Sequence, residues 1–123
     1  MRVVLDSNII TAAFAARGLC TEILFYVLQN FDPFYSINIV NECERIFLKK
    51  LKLSKPLAEK NINFIKENFT LAIPTLVESK LGRDKNDLHI LGLADEVKAK
   101  FIITGDQDLL VLKKTQTYKD IFS

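Results

Sequence analysis

Met1-Arg2-Val3-Val4-Leu5-Asp6-Ser7-Asn8 opens the chain, and its reading decides the fold. Val3, Val4 and Leu5 form an unbroken apolar run, the pattern of a strand buried on both faces. Asp6 stands where that strand ends, and Ser7 is placed to cap an apolar helix expected over 8–16. In open parallel sheets the working crevice lies beyond the carboxyl ends of the strands. A carboxylate there suits metal binding or acid–base chemistry. The same residue could equally be a plain helix cap, and this segment alone weighs the two readings evenly.

The arrangement recurs near the other end. Phe101, Ile102, Ile103 and Thr104 form a second apolar, β-branched run, followed by Gly105, Asp106, Gln107 and Asp108, with a short helix expected over 107–112. Two strand-end acids, far apart in sequence, point to one acidic cluster at one edge of one sheet.

Between these ends, strands and helical patterns alternate. Gly18 breaks the first helix. The second is expected over 21–29, with Ile23, Leu24, Val27 and Leu28 inward. Asp32-Pro33 reads as a turn, and Phe34, Tyr35 and Ser36 as a short strand. A helix over 39–51 would bury Val40, Cys43, Phe47 and Leu51. Pro56 fits the first turn of a helix over 57–68, with Leu57, Ile62 and Ile65 in the core. A third strand, 70–73, is closed by Pro74. A loop over 78–85 precedes a helix over 86–100, then the Phe101 strand, and a last weak strand is expected over 118–122. This alternation predicts an α/β fold with a mostly parallel sheet. Right-handed crossovers gather the strand carboxyl ends, and with them Asp6 and Asp106, on one edge.

At 123 residues the chain is expected to be a single domain, 1–123. A hydrophobic share of 49%, with four glycines and three prolines, excludes a disordered or collagen-like chain. No apolar run reaches the roughly 18 residues of a membrane span, and the N-terminus lacks the pattern of a secretory signal. A cytoplasmic location with no membrane partner is expected. Cys20, Cys43 and His89 are too few for a structural zinc site, so the thiols read as buried and inert. The net charge of +2 says little, but Lys49, Lys50, Lys52 and Lys55 cluster, as do Lys98 with Lys100 and Lys113 with Lys114. Lysines around an acidic pocket suit a metal-dependent enzyme acting on a polyanion. Taken singly, each cluster is an ordinary solvated helix end or turn.

Two helix-borne acids can join the strand-end pair. Glu42 lies early in its helix beside the apolar stripe of Val40 and Cys43, where it also matches the helix dipole. Asp87 begins a stripe with Ile90, Leu91 and Ala94, where a carboxylate needs a cation or a donor; its plainer reading is a capping acid. His89, two positions on, falls on a different helical face and reads as a solvated or packed histidine. Tyr26, Tyr35 and Phe14 could stack on bases, with core packing the better reading for Phe14.

The spaced set Asp6, Glu42, Asp87 and Asp106 resembles the PIN domain family, small nucleases of the kind found as toxins in toxin–antitoxin pairs. Val-Val-Leu-Asp6-Ser-Asn8 is similar to its opening strand, and Ser36 followed by Glu42 to its second strand, cap and second acid. Arg83-Asp84-Lys85-Asn86-Asp87 through Ala94 is similar to the segment with its third acid. Ile103-Thr104-Gly105-Asp106-Gln107-Asp108 is similar to its last motif. The family usually runs past its last helix into a further strand and apolar stretch, whereas this chain stops at Ser123. The resemblance implies an α/β/α sandwich with a five-stranded, mostly parallel sheet in the order 3-2-1-4-5.

It also implies an endoribonuclease using Mg²⁺ or Mn²⁺, with RNA as substrate, an antitoxin protein as a possible partner and a homodimer as the assembly. Clustered carboxylates cannot all ionise cheaply without a cation, and hard oxygen ligands select Mg²⁺ or Mn²⁺ over zinc. Asp6, Glu42, Asp87 and Asp106 are then the metal-binding and catalytic acids. Asn8, Thr104 and Asp108 orient ligands or water, and Lys49, Lys50 and Lys52 meet the RNA backbone. Two alternatives stand beside this. One is a catalytically idle binding module acting through a protein or RNA partner. The other is a receiver-type phosphate-transferring domain, for which the chain lacks a lysine directly after a late strand.

Overall fold

The computed structural model describes residues 1–75 and 85–105, the second segment with side chains from residue 88 onward. Its elements are β1 (Arg2–Leu5), α1 (Ser7–Ala15), α2 (Leu19–Asn30), β2 (Asp32–Tyr35), α3 (Ile37–Arg45), a π-helical segment (Ile46–Lys50), α4 (Lys55–Asn68), β3 (Thr70–Leu71), α5 (Lys85–Val97) and β4 (Phe101–Ile103). The sheet runs in the order β3-β2-β1-β4 with every pairing parallel. This bears out the expected α/β class with helices flanking a parallel sheet. Four strands make up the sheet among the described residues. The expected fifth strand, 118–122, the helix over 107–112 and most of the 78–85 loop lie outside them.

Val3, Val4 and Leu5 are fully buried because β1 is central and covered on both faces. The chain moves one way across the sheet from β1 to β3 and back for β4, so right-handed crossovers put α1 to α4 on one face and α5 on the other. The side chains agree. Val3, Phe101 and Ile103 share a face with α2 and line, with it, an apolar cavity of about 420 Å³. Arg2 points the other way, donating to the Val97 carbonyl of α5 at 3.0 Å and stacking over Phe34 at 5.5 Å. Under α1, Phe14 packs edge-on against Phe47 and Phe64 at 5.7 and 5.6 Å, so it belongs to the core.

Several local expectations are corrected. Asp32-Pro33 is strand, not turn. Asp32 N–H bonds Met1 O at 2.8 Å toward β1, so alternation turns the proline nitrogen toward β3. There β3 begins opposite Phe34, so no donor is missed. Asp6, not Ser7, caps α1. The helix expected over 39–51 starts at Ile37, leaves α geometry after Arg45 and widens to i→i−5 bonding, with Leu51 N–H to Ile46 O at 2.9 Å. Lys52 then closes it in the left-handed region, at φ 53°. Leu57 is 43% exposed and not in the core, whereas Ile62 and Ile65 are buried. Tyr35 is buried too, which removes it as a base-stacking surface. No single helix among the described residues is long and apolar enough to cross a membrane.

Candidate active site

Parallel register decides what meets at the carboxyl edge. Leu5 pairs with Ile103, and Asp6 N–H bonds Ile103 O at 2.9 Å. The residues that follow, Asp6 and Thr104, are therefore neighbours. Thr104 Oγ1 donates to Asp6 Oδ2 at 2.7 Å, and Asp6 Oδ1 accepts the Asn8 backbone N–H at 3.3 Å. The capping and site readings of Asp6 thus hold together: one oxygen caps α1 while the other takes a hydroxyl from the end of β4. The residue is only 6% exposed. Two bonds from different elements hold the plane of its carboxylate, and each oxygen keeps a further lone pair.

Glu42 comes in from α3. Ser36, fully buried, caps that helix by accepting the Ile39 N–H at 3.2 Å, which starts α3 directly after β2. Glu42 is half-buried, and burial raises its pKa, with the negative charge of Asp6 raising it further. Arg45, Lys50 and His89 pull it the other way. The neighbouring Cys43 feels both acids. Its thiol is pushed up to about 12, first by burial, then by Glu42, with Asp6 adding to the rise. Cys43 Sγ lies 4.0 Å from the Ser7 carbonyl oxygen, which brings the adjoining Asp6 and Glu42 near enough for the charge of one to be felt at the other.

Asp87 is the third residue of α5; its side chain, and all of Asp106 and Asp108, lie outside the described residues. Of the four expected carboxylates, only Asp6 and Glu42 are among those described. No group of three or more His, Cys, Asp or Glu side chains able to hold an ion forms among the described residues. Asn8 contributes its backbone N–H to Asp6 and is exposed. Lys49 and Lys50 end the π-helical segment, and both are exposed, as is Lys52. One contact has no counterpart among the expected site residues: Asn38 Nδ2 lies 3.3 Å from His89 Nε2, joining α3 to α5. The one signal for it in the sequence is that Asn38 precedes Glu42 by four residues and so shares its helix face.

A parallel α/β domain with a fixed carboxylate and a second acid at its carboxyl edge belongs to the class of folds that work at strand ends. The PIN domain profile matches residues 2–108, and the chain belongs to the PIN domain family. Its fold is thus a nuclease fold, and PIN domains typically use divalent metal ions. No curated protein matches the chain.

Proposed function

We propose that this protein is a divalent-metal-dependent endoribonuclease that hydrolyses RNA phosphodiesters, the toxin of a cytoplasmic toxin–antitoxin pair acting as a homodimer. The observation that carries the reading is the pairing of Asp6 and Glu42. Two carboxylates from different elements lie near enough that the charge of Asp6 makes Glu42 harder to ionise. Such a pair favours a cation between its members. Oxygen donors without sulfur or imidazole fit Mg²⁺ or Mn²⁺.

Asp6 and Glu42 would hold the ion, joined by Asp87 and Asp106 through the family resemblance. The ion would supply an activated water and charge neutralisation at the phosphodiester. The chain's own contributions are more specific. Thr104 and the Asn8 N–H keep the Asp6 carboxylate in one orientation, so its free lone pairs need no reorganisation. Lys49, Lys50 and Lys52 would attract the phosphate backbone, releasing counterions on binding.

Cleavage of labelled RNA in EDTA, with Mg²⁺ or Mn²⁺ added back, tests the reading. Activity should vanish in EDTA, return with metal and fall with added salt. Reversing the charge of Lys49, Lys50 and Lys52 should weaken RNA binding and flatten its salt dependence. RNA binding without cleavage under any metal would instead mark an idle binding module.

A further inference from the structure

His89 is the sole histidine of the chain. It sits on α5, within reach of Asn38, the second residue of α3, although 51 positions separate them. Asn38 lies one helical turn before Glu42, and His89 is near enough to Glu42 for its charge to be felt there. Since α3 and α5 flank opposite faces of the sheet, the contact spans the carboxyl edge at the rim of the acidic site.

The geometry also sets the chemistry of the ring. The Asn38 amide nitrogen, 3.3 Å from Nε2, can only donate, so the contact is a hydrogen bond in the tautomer that leaves Nε2 bare. A neutral imidazole so held carries its proton on Nδ1. The pair is solvent-accessible and lies near Glu42, so Nδ1–H is open to an acceptor from outside the protein. Nearby groups favour an anionic oxygen as its acceptor. Ser36 satisfies only the Ile39 N–H, leaving the N–H groups of Ile37 and Asn38 as first-turn donors without intrahelical acceptors. Arg45 and Lys50 also place positive charge near Glu42.

We propose that His89 contacts the RNA substrate, its Nδ1–H donating to a phosphate oxygen beside the scissile linkage, and that Asn38 is a positioning residue that fixes the tautomer. This rests on the nuclease reading above. It makes no use of a charged imidazole.

Because His89 is the sole histidine, long-range ¹H–¹⁵N spectra of the labelled protein report its tautomer without ambiguity. At about pH 8, where a free imidazole is neutral, the wild type should show the proton on Nδ1, and Asn38→Ala should lose that preference. Steady-state cleavage with Mn²⁺ then separates contact from scaffolding. His89→Gln places its amide near Nε2 and leaves nothing at Nδ1, so KM should rise about tenfold, the low end for a hydrogen bond to a charged oxygen, with kcat little changed. His89→Asn overlays its amide nitrogen on Nδ1 and should restore most of the loss. A wild-type ring protonated on Nε2 overturns the inference, as does a His89→Gln KM equal to wild type in an enzyme that cleaves RNA. Wild-type protein that neither binds nor cleaves RNA with metal removes the nuclease reading and takes this inference with it.

Discussion

Replacing Asp6 by asparagine and by alanine separates its structural part from its charge. Alanine removes the cap of α1, which costs about 1 kcal/mol. It also removes the acceptor of the Thr104 hydroxyl, worth about another 1 kcal/mol net. For a domain of this size the combined loss of about 2 kcal/mol lowers the melting temperature by about 8 °C. Asparagine behaves differently. Its Oδ1 still accepts the Asn8 N–H, and asparagine caps helices as well as aspartate does. The Thr104 hydroxyl rotates to accept from the new Nδ2. Repulsion with Glu42 disappears at the same time. Melting followed by circular dichroism in EDTA near neutral pH should therefore place Asp6→Asn at or above wild type and Asp6→Ala well below it. Added Mn²⁺ should raise the wild type and leave both variants where they were, because a ligand charge is gone. Asp6→Asn falling as far as Asp6→Ala in EDTA would refute the reasoning, since the charge itself would then be holding the fold.

The raised pKa of Glu42 has a definite sign in stability. A carboxyl that is harder to ionise when folded favours the fold fully below its ordinary value of 4.5, and that contribution is lost as pH rises through the folded pKa. Glu42→Gln in EDTA should therefore melt higher than wild type near neutral pH, with the gain gone below pH 4.5; a gain that persists in acid would contradict this. Gly92 faces a different constraint, for a Cβ there would collide with the Thr75 carbonyl oxygen, whose own N–H bonds Gly92 O at 3.1 Å. Gly92→Ala should cost about 2 kcal/mol in thermal or urea unfolding, and an unchanged midpoint would mean that the contact yields freely. For the thiols, alkylation with mass spectrometry should label Cys20 in the native protein and Cys43 only after denaturation, because Cys43 is fully buried with a pKa of about 12. Equal native labelling of the two would show that the space beside Glu42 opens readily.

What could be read from the sequence divides along a physical line. The apolar run of β1 makes a buried central strand under almost any arrangement of a parallel sheet, the β-branched run of β4 pairs beside it, and the alternation of strands and helices leaves few topologies. The observed order β3-β2-β1-β4 agrees with the order that the resemblance to PIN domains implies for these four strands. Features set by distant parts of the chain were not legible. Pro33 signals a turn locally, yet it is strand because β3 starts one residue too late to need its missing donor. The π-helical widening at Ile46–Lys50 carries no composition signal, and Leu57 has the right phase for the core but faces solvent. The pattern offers both Asp6 and Ser7 as caps of α1, and the chain uses Asp6, which carries a structural duty and a site position together.

The same line runs through the site. In a parallel sheet the pairing of Leu5 with Ile103 carries the following residues into contact without any further condition, so a residue directly after each run belongs to one edge. That is why Asp6 and Thr104 meet at 2.7 Å. Residues on helices have no such guarantee, because their direction depends on where each helix starts and how it rotates on the sheet. Glu42 comes under the charge of Asp6 because Ser36 starts α3 immediately after β2, which sets the phase of the whole helix. Asn38 inherits that phase one turn earlier and meets a histidine from α5 on the opposite face. A sequence pattern can nominate Glu42 from its place beside the apolar stripe. It cannot nominate Asn38, whose role exists only once two helices from different crossovers have been set over the same edge.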